Sequence, residues 1–312
     1  MADQQTLDPD MFTKQALFTK SWHRDLYPAI DPKQFTSAVS DKVVLVTGAS
    51  RNLGKYMVRS WAEAGASGIV ITSRRLSDLA PVVQNLKEIS PKTEVLAVAA
   101  EMTKEEDVKN LFEKIKEKFG RLDVVVANAG VVGAGSSFPR IGDISFGPEK
   151  WWGDLENNVR TAYLTAHYYI TTFGPEPVGT FITMASAVGR VIMPGNSSYG
   201  ISKSSTQRLV PYLHAEYPSL RAFSLDPGIV AKHDNLLEAF RPFAFDMPEL
   251  SGAWTVWLSS SETSEVLRGG YVQVNWDVEE LEKHKEEIGE KKLNHLGFIN
   301  AHLGPEGHAW EN

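Results

Sequence analysis

The segment Tyr199-Gly200-Ile201-Ser202-Lys203 sets a phenol and an ammonium four residues apart. On a helix that spacing puts both side chains on one face. A free tyrosine, with a pKa of about 10, exchanges protons slowly at neutral pH. A cation held beside it favours the phenolate and softens the phenol into an acid–base group. Ser186 stands thirteen residues before Tyr199 and follows the apolar run Phe181-Ile182-Thr183-Met184. A hydroxyl at the C-terminal end of such a strand can donate to a carbonyl oxygen and stabilise developing alkoxide charge. The three groups together suit proton transfer to or from an oxygen whose carbon changes oxidation state.

Strands and helices must hold those groups in register. Continuous apolar runs occur at Val43–Val46, Ile69–Ile71, Val95–Val98 and Val124–Ala127, then at Phe181–Met184, Ala222–Leu225 and Tyr271–Val274. The first four do not alternate with polar residues, as expected of parallel strands covered on both faces. Between the runs lie helix candidates at 53–64, 104–119 and 151–173, and Val108, Leu111, Phe112, Ile115 and Phe119 repeat at helical spacing. This alternation predicts a doubly wound parallel sheet, an α/β fold with right-handed crossovers. Pro211 should kink or end the helix that begins near Tyr199. Trp151 and Trp152 are read as seating a helix on the core, and Asp226 as a turn residue before Pro227.

The first strand runs into Thr47-Gly48-Ala49-Ser50-Arg51-Asn52-Leu53-Gly54. A pyrophosphate approaching the N-terminus of a helix needs small side chains or none. Gly48 permits a tight turn and Gly54 permits the helix to pack closely, while Asn52 tolerates left-handed backbone angles better than most residues. The second strand ends Thr72-Ser73-Arg74-Arg75, with no carboxylate to bind ribose hydroxyls. Arg51 and Arg74 would instead clamp an extra ribose phosphate.

The glycine turn resembles the Thr-Gly-x-x-x-Gly-x-Gly turn of the short-chain dehydrogenase/reductase family, with Asn52 in place of the middle glycine, and Tyr199 with Lys203 resembles its Tyr-x-x-x-Lys pair. The resemblance spans about residues 41–277 in the family's order and implies a Rossmann-like domain that binds NADP(H). It assigns the turn residues Gly48, Ser50, Arg51, Asn52, Leu53 and Gly54 to the cofactor, together with Ser73 and Arg74. Glu101, with Met102 beside it, matches the position that usually contacts the adenine amine. Ala127-Asn128-Ala129-Gly130 resembles the family's Asn-Asn-Ala-Gly, with Ala127 in place of the first asparagine and Asn128 bracing backbone groups. Asn157-Asn158-Val159-Arg160 resembles Asn-Val-x-Gly and makes Asn158 the active asparagine, whose amide would hold a water linking Lys203 to solvent. Asn157 is the rival for that role, and Thr161 replaces the glycine. Pro227-Gly228-Ile229-Val230 resembles the segment beside the nicotinamide, where Lys232 stands in place of the usual threonine. The resemblance also implies a homodimer or homotetramer through the helices at 151–173 and 199–217. The run Asn275-Trp276-Asp277 and the charged tail look like fungal members.

Composition sets the outer limits. The chain has 312 residues, a formal charge of −7, 42% hydrophobic residues and no cysteine. It can fill a large core, and it has no disulfide, thiolate metal site or cysteine nucleophile. The acidic balance argues against nucleic acid as a partner, and eight histidines without a His-x-x-x-His pair argue against a metal site. Asp3, Asp8, Asp10, Lys14, Lys20 and Asp25 break any apolar signal core, and no apolar run approaches the ~20 residues that span a bilayer. A soluble, cytoplasmic protein is expected. We read residues 1–40 as an arm laid across the main domain or a neighbouring subunit, 41–277 as the cofactor-binding and catalytic domain, and 278–312 as a charged tail. The run 279–292 is either a solvated helix face or a flap over the cleft or a partner.

The expected activity is NADP(H)-dependent interconversion of a ketone or aldehyde with an alcohol, with Asn158, Ser186, Tyr199 and Lys203 as catalytic residues. The alternative is a scaffold of the same fold that binds NADP and has lost or redirected its redox chemistry. A sugar-nucleotide epimerase fits less well, because the interval between Asp226 and Tyr271 is short. Phe138, Phe146, Phe240, Phe243 and Phe245 lie in segments that should border the cleft. They either greet a hydrophobic or aromatic substrate or pack the loops down.

Overall fold

All seven apolar runs are strands of one sheet in the computed structural model, which describes residues 7–131, 138–231, 233, 234, 236 and 238–297. The strands are β1 (Val43–Val46), β2 (Gly68–Ser73), β3 (Glu94–Ala99), β4 (Val124–Ala127), β5 (Gly179–Met184), β6 (Leu220–Asp226) and β7 (Tyr271–Gln273). Their order is β3-β2-β1-β4-β5-β6-β7, and every neighbouring pair is parallel. The order reverses between β1 and β4, where an open α/β sheet leaves a crevice at its C-terminal edge. β3 departs from the expectation of two covered faces. It is the edge strand, and only Val98 of its six residues is buried.

Two apolar layers enclose the sheet. On one side Met57, Trp61, Leu86 and Trp254 pack on β1 and β2, and on the other Phe112, Ile115, Tyr169 and Leu213 pack on Leu45, Val125 and Phe181. The helix Asn52–Glu63 meets the helix Pro248–Ser260, which sequence periodicity does not mark. Eleven of its thirteen residues, from Pro248 to Ser259 without Glu249, are buried. A helix that is apolar all round has no stripe to reveal it. Trp61 Nε1 donates to Thr255 Oγ1 at 3.0 Å across this contact.

The candidate helix at 151–173 begins earlier, at Gly147, and is interrupted by a π-helical turn, Glu156–Arg160, before continuing as Thr161–Phe173. Trp151 anchors it by donating from Nε1 to Ser197 Oγ at 3.0 Å. Trp152 does not seat it, being 62% exposed. The helix Ser197–Glu216 runs through Pro211 and ends five residues later. What Pro211 removes is one backbone donor, and the flanking turns survive that loss.

The arm lies on its own domain. Trp22 pairs antiparallel with Trp276, Trp276 Nε1 donates to Ala16 O at 2.9 Å, and His23 Nε2 lies 2.6 Å from Asp277 Oδ2. The charged run after Asp277 forms the helices Val278–Lys283 and Lys285–Lys291. Their charged residues face outward, while Val278, Leu281 and Ile288 join the core. Residues 298–312 lie outside the described residues. Among the described residues no helix is long and apolar enough to cross a membrane.

The Trp61 contact carries a stability prediction. Trp61→Ala removes a fully buried indole and its bond to Thr255 Oγ1, which keeps only its own bond to Gly252 O. Denaturant titration should show a loss of about 3–5 kcal/mol, and an unchanged midpoint would contradict this packing.

Candidate active site

A cavity of about 1060 Å³ opens at the C-terminal edge of the sheet and is lined by Ser186, Tyr199 and Lys203. Ser186 follows β5, and the helix Ser197–Glu216 carries the other two on one face. Tyr199 and Lys203 are 9% and 8% exposed. Lys203 Nζ donates to Met184 O at 2.9 Å and sits 5.6 Å from the centre of the Tyr199 ring. Burial lowers the Lys203 ammonium to about 8, against a partial opposing pull from the Asp226 carboxylate.

The phenol behaves otherwise than the spacing suggests. Burial pushes the Tyr199 pKa up, and the nearby Asp226 and Asp154 add to that rise, while the Ser186 hydroxyl offsets part of it. Desolvation disfavours an anion more than a lysine engaged with a strand-end carbonyl favours it. In this geometry Tyr199 is held as the protonated acid.

Asn158 sits in the π-helical turn and does not line the cavity. Its Oδ1 accepts from Val131 N at 2.9 Å and its Nδ2 donates to Ser202 Oγ at 2.9 Å. Both ends of the amide are engaged, with one Nδ2 hydrogen and one Oδ1 lone pair remaining beyond these two bonds. Its visible work is to tie the segment after β4 to the helix that carries Tyr199. Gly130 is required beside it, because a Cβ there would lie 2.6 Å from Asn158 Oδ1. Asn157 does line the cavity, although its Nδ2 donates to Gly153 O at 2.7 Å.

At the other end of the cavity stands the glycine turn. Asn52 adopts φ +48°, the left-handed angle open to asparagine, and begins the helix Asn52–Glu63. A Cβ on Gly54 would overlap Gly48 O and lie 2.8 Å from Ala49 Cα. Gly54 therefore works from beneath the turn and not from the cavity wall, where Gly48, Ser50, Arg51, Asn52 and Leu53 lie. Asn128 Nδ2 donates to Thr47 O at 2.8 Å and Gly48 O at 3.2 Å, and Ala129 N donates to Thr47 Oγ1 at 2.9 Å. These bonds hold the turn open against the end of β4. Such a cradle, with helix N–H groups facing space that no side chain fills, fits a pyrophosphate.

Ser73, Arg74, Glu101 and Met102 continue the same wall, with Ala129 and Gly130. Arg75 is paired with Asp78 at 3.0 Å, whereas no ion pair among the described residues uses Arg51 or Arg74. Glu101 accepts from Thr103 Oγ1 at 3.3 Å, and its backbone N donates to Asp107 Oδ2 at 2.8 Å.

Asp226 is more than a turn residue. It accepts from Gly228 N at 3.0 Å, as a turn would require, but it is buried and also accepts from the Tyr271 hydroxyl at 2.6 Å. Arg190 donates to that same hydroxyl at 3.3 Å and lies 4.2 Å over the Tyr271 ring. Burial raises the Asp226 pKa, with Tyr271 and Gly228 pulling it back. Pro227, Gly228 and Val230 line the cavity beyond it. Gly228 has φ +71°, and a Cβ there would overlap Asp246 Oδ2. Asp246 is fully buried, accepts from Ile229 N at 2.6 Å, Asn275 Nδ2 at 2.7 Å and Arg24 Nη1 at 2.9 Å, and is pushed up to about 6 by that burial. No local pattern marks Arg190, Tyr271, Asp246 or Arg24, because each finds its partner far along the chain. Lys232 lies outside the described residues.

Known proteins share this arrangement. A family profile described as short chain dehydrogenase matches residues 42–236. The short chain dehydrogenase pigC of Monascus ruber is 34% identical over 90% of this chain and 93% of its own. The short chain dehydrogenase citE of the same species is 31% identical over 85% and 91%. Among solved structures, a short chain dehydrogenase from Mycobacterium smegmatis superposes with a TM-score of 0.65 at 25% identity, over 76% of this chain and 92% of that one. An NADPH-dependent 3-quinuclidinone reductase from Rhodotorula rubra shares the fold, with a TM-score of 0.67 at 21% identity over 82% and 96%. The chain belongs to the short-chain dehydrogenases, a family of oxidoreductases that use a nicotinamide cofactor.

Proposed function

We propose that this protein is an NADP(H)-dependent carbonyl reductase that interconverts a ketone or aldehyde with an alcohol. One observation carries the reading. Ser186, Tyr199 and Lys203 line the same cavity as a glycine cradle flanked by Arg51 and Arg74, with no carboxylate at the end of β2. The cradle residues Gly48, Ser50, Asn52 and Leu53 would hold the pyrophosphate, Arg51 and Arg74 the ribose phosphate, and Asn128 to Gly130 the adjoining ribose. When bound, the nicotinamide supplies hydride to a carbonyl carbon. Ser186 and Tyr199 orient the carbonyl oxygen by hydrogen bonding, and Tyr199 gives up its hydroxyl proton to that oxygen. Lys203, below about pH 8, stabilises the phenolate left behind. Asn158 acts by fixing the helix that carries Tyr199, through Ser202. The scaffold reading with lost chemistry is disfavoured by the three intact hydroxyl and amine groups in one cavity.

Removing the acid tests the proton role. Tyr199→Phe should bind NADPH with unchanged Kd by fluorescence titration and lose ~10²–10⁴-fold in kcat for carbonyl reduction. In the native enzyme kcat/KM should decline above about pH 8, as Lys203 loses its charge. Full turnover by Tyr199→Phe would end this assignment.

Cofactor choice is tested separately. Arg51→Ala with Arg74→Ala should weaken NADPH by ~10–100-fold, as expected for lost charge-assisted hydrogen bonds. NADH affinity should change little, and equal losses for both cofactors would refute the phosphate clamp.

We infer further that the protein forms a homodimer or homotetramer. The helices Gly147–Leu155, Thr161–Phe173 and Ser197–Glu216 leave Trp152, Tyr163, Ile201 and Tyr212 at 62%, 52%, 45% and 57% exposure. Tyr163→Arg with Tyr212→Arg should lower the mass measured by light scattering toward the 34.5 kDa monomer. A native protein that is already monomeric would contradict the inference.

A further inference from the structure

The cavity has a wall that the dinucleotide-binding fold does not supply. Phe12, Thr13, Gln15 and Ala16 of the N-terminal arm line it, opposite the turn that follows β6. Phe12 meets Phe243 edge-on, with ring centres 4.7 Å apart, and Phe240 at 5.6 Å. Phe240 in turn meets Phe138 at 6.2 Å, again edge-to-face. Four rings from three distant chain segments thus form one continuous apolar surface. Phe243 is buried as its base, whereas Phe12 and Phe240 stay half-buried and face the cavity. Of the five phenylalanines expected to border the cleft, Phe240 lines the cavity, whereas Phe146 and Phe243 are buried and pack their loops down.

Two features show that this wall is held in place. Phe138 has φ +44°, a left-handed angle that a bulky residue rarely adopts. Its backbone abuts Gly195, where any Cβ would overlap Phe138 O. Such strain persists only where the surroundings over-determine it. On the opposite side, Arg24 ties down the arm. Its guanidinium donates to Asp10 Oδ1 at 2.6 Å, Thr13 Oγ1 at 3.2 Å and Asp246 Oδ1 at 2.9 Å. Asp246 accepts from Ile229 N with its other oxygen, so the arm and the segment beside Gly228 share one carboxylate.

We propose that the N-terminal arm is the substrate-selecting wall of this cavity, with Phe12 as a specificity-determining residue for apolar carbonyl compounds that carry an aromatic ring. The ring rests edge-on against Phe12 and Phe240, while the carbonyl group points toward Ser186 and Tyr199. Aromatic contacts of this kind add affinity beyond the area they bury, because ring edges and faces carry opposite partial charge. The proposal rests on the carbonyl-reductase reading of the same cavity.

The test compares 2-acetonaphthone with 2-butanone, using NADPH-loaded enzyme and its Phe12→Ala and Phe12→Leu variants. Phe12→Ala should lower the ratio of kcat/KM for 2-acetonaphthone over 2-butanone about tenfold, mainly through KM, with Phe12→Leu between the two. Equilibrium binding of 2-acetonaphthone to the NADPH-loaded Tyr199→Phe enzyme, with and without Phe12→Ala, should show the same tenfold loss without any turnover. Ring binding that depends on Phe12 in an enzyme that reduces neither ketone would uphold the wall and remove the reductase reading. Turnover with an unchanged ratio, or no binding of 2-acetonaphthone, would overturn the wall.

Discussion

Where the helix Asn52–Glu63 follows β1, its backbone and that of the turn approach so closely that no side chain at Gly54 can stand between them. Gly54 lies against Gly48 O and Ala49, and Asn128 reaches across from β4 to hold the carbonyls of Thr47 and Gly48. This contact forms at the reversal of strand order between β1 and β4, so it joins the two halves of the sheet at the mouth of the crevice. It also leaves backbone N–H groups facing open space, the condition for receiving an anion. The rest of the cavity is arranged around that fixed edge. A larger residue at Gly54 would part the helix from the strand and alter every distance beyond it.

Dryness decides the chemistry at the other end. Tyr199 and Lys203 sit in surroundings that disfavour charge of either sign, so the phenol is raised and the ammonium lowered. Their ordinary values differ little, about 10 for the phenol and about 10.4 for the ammonium. Burial alone would therefore keep both groups neutral over a wider range. Asp226 offsets part of that effect on the lysine, which keeps its charge below about pH 8, and the Asp226 carboxylate accepts from the Tyr271 hydroxyl, to which Arg190 also donates. An acid that retains its proton beside a cation that retains its charge is a poised state for protonating an alkoxide. Burial strengthens the attraction between that cation and the phenolate formed on proton transfer, which would be weaker in a high-dielectric medium.

The arm extends this logic to the substrate end. Its contacts with Trp276, Asp277 and Asp246 span more than two hundred residues of chain, and each fastens it to the C-terminal edge of the sheet. The loop entropy of such pairings is paid once, and several then form together. Arg24 meets a carboxylate that is fully buried and also serves Ile229 and Asn275. The arm and the segment beside Gly228 are thus held by one carboxylate.

Local patterns in the sequence determined the seven strands, the parallel sheet, the glycine turn and the shared face of Tyr199 and Lys203. Each depends on neighbours a few residues apart, where apolar runs, helical spacing and the steric freedom of glycine and asparagine act directly. The left-handed angle of Asn52 belongs to this class. The helix Pro248–Ser260 escaped that reading because its uniform burial erases the periodic signal. Only the tertiary structure decided that Asn158 spends its amide on Val131 and Ser202, that Tyr199 rises in pKa, and that Phe12 reaches the cavity. Desolvation and contacts across long stretches of chain are properties of the packed whole, and no local spacing encodes them.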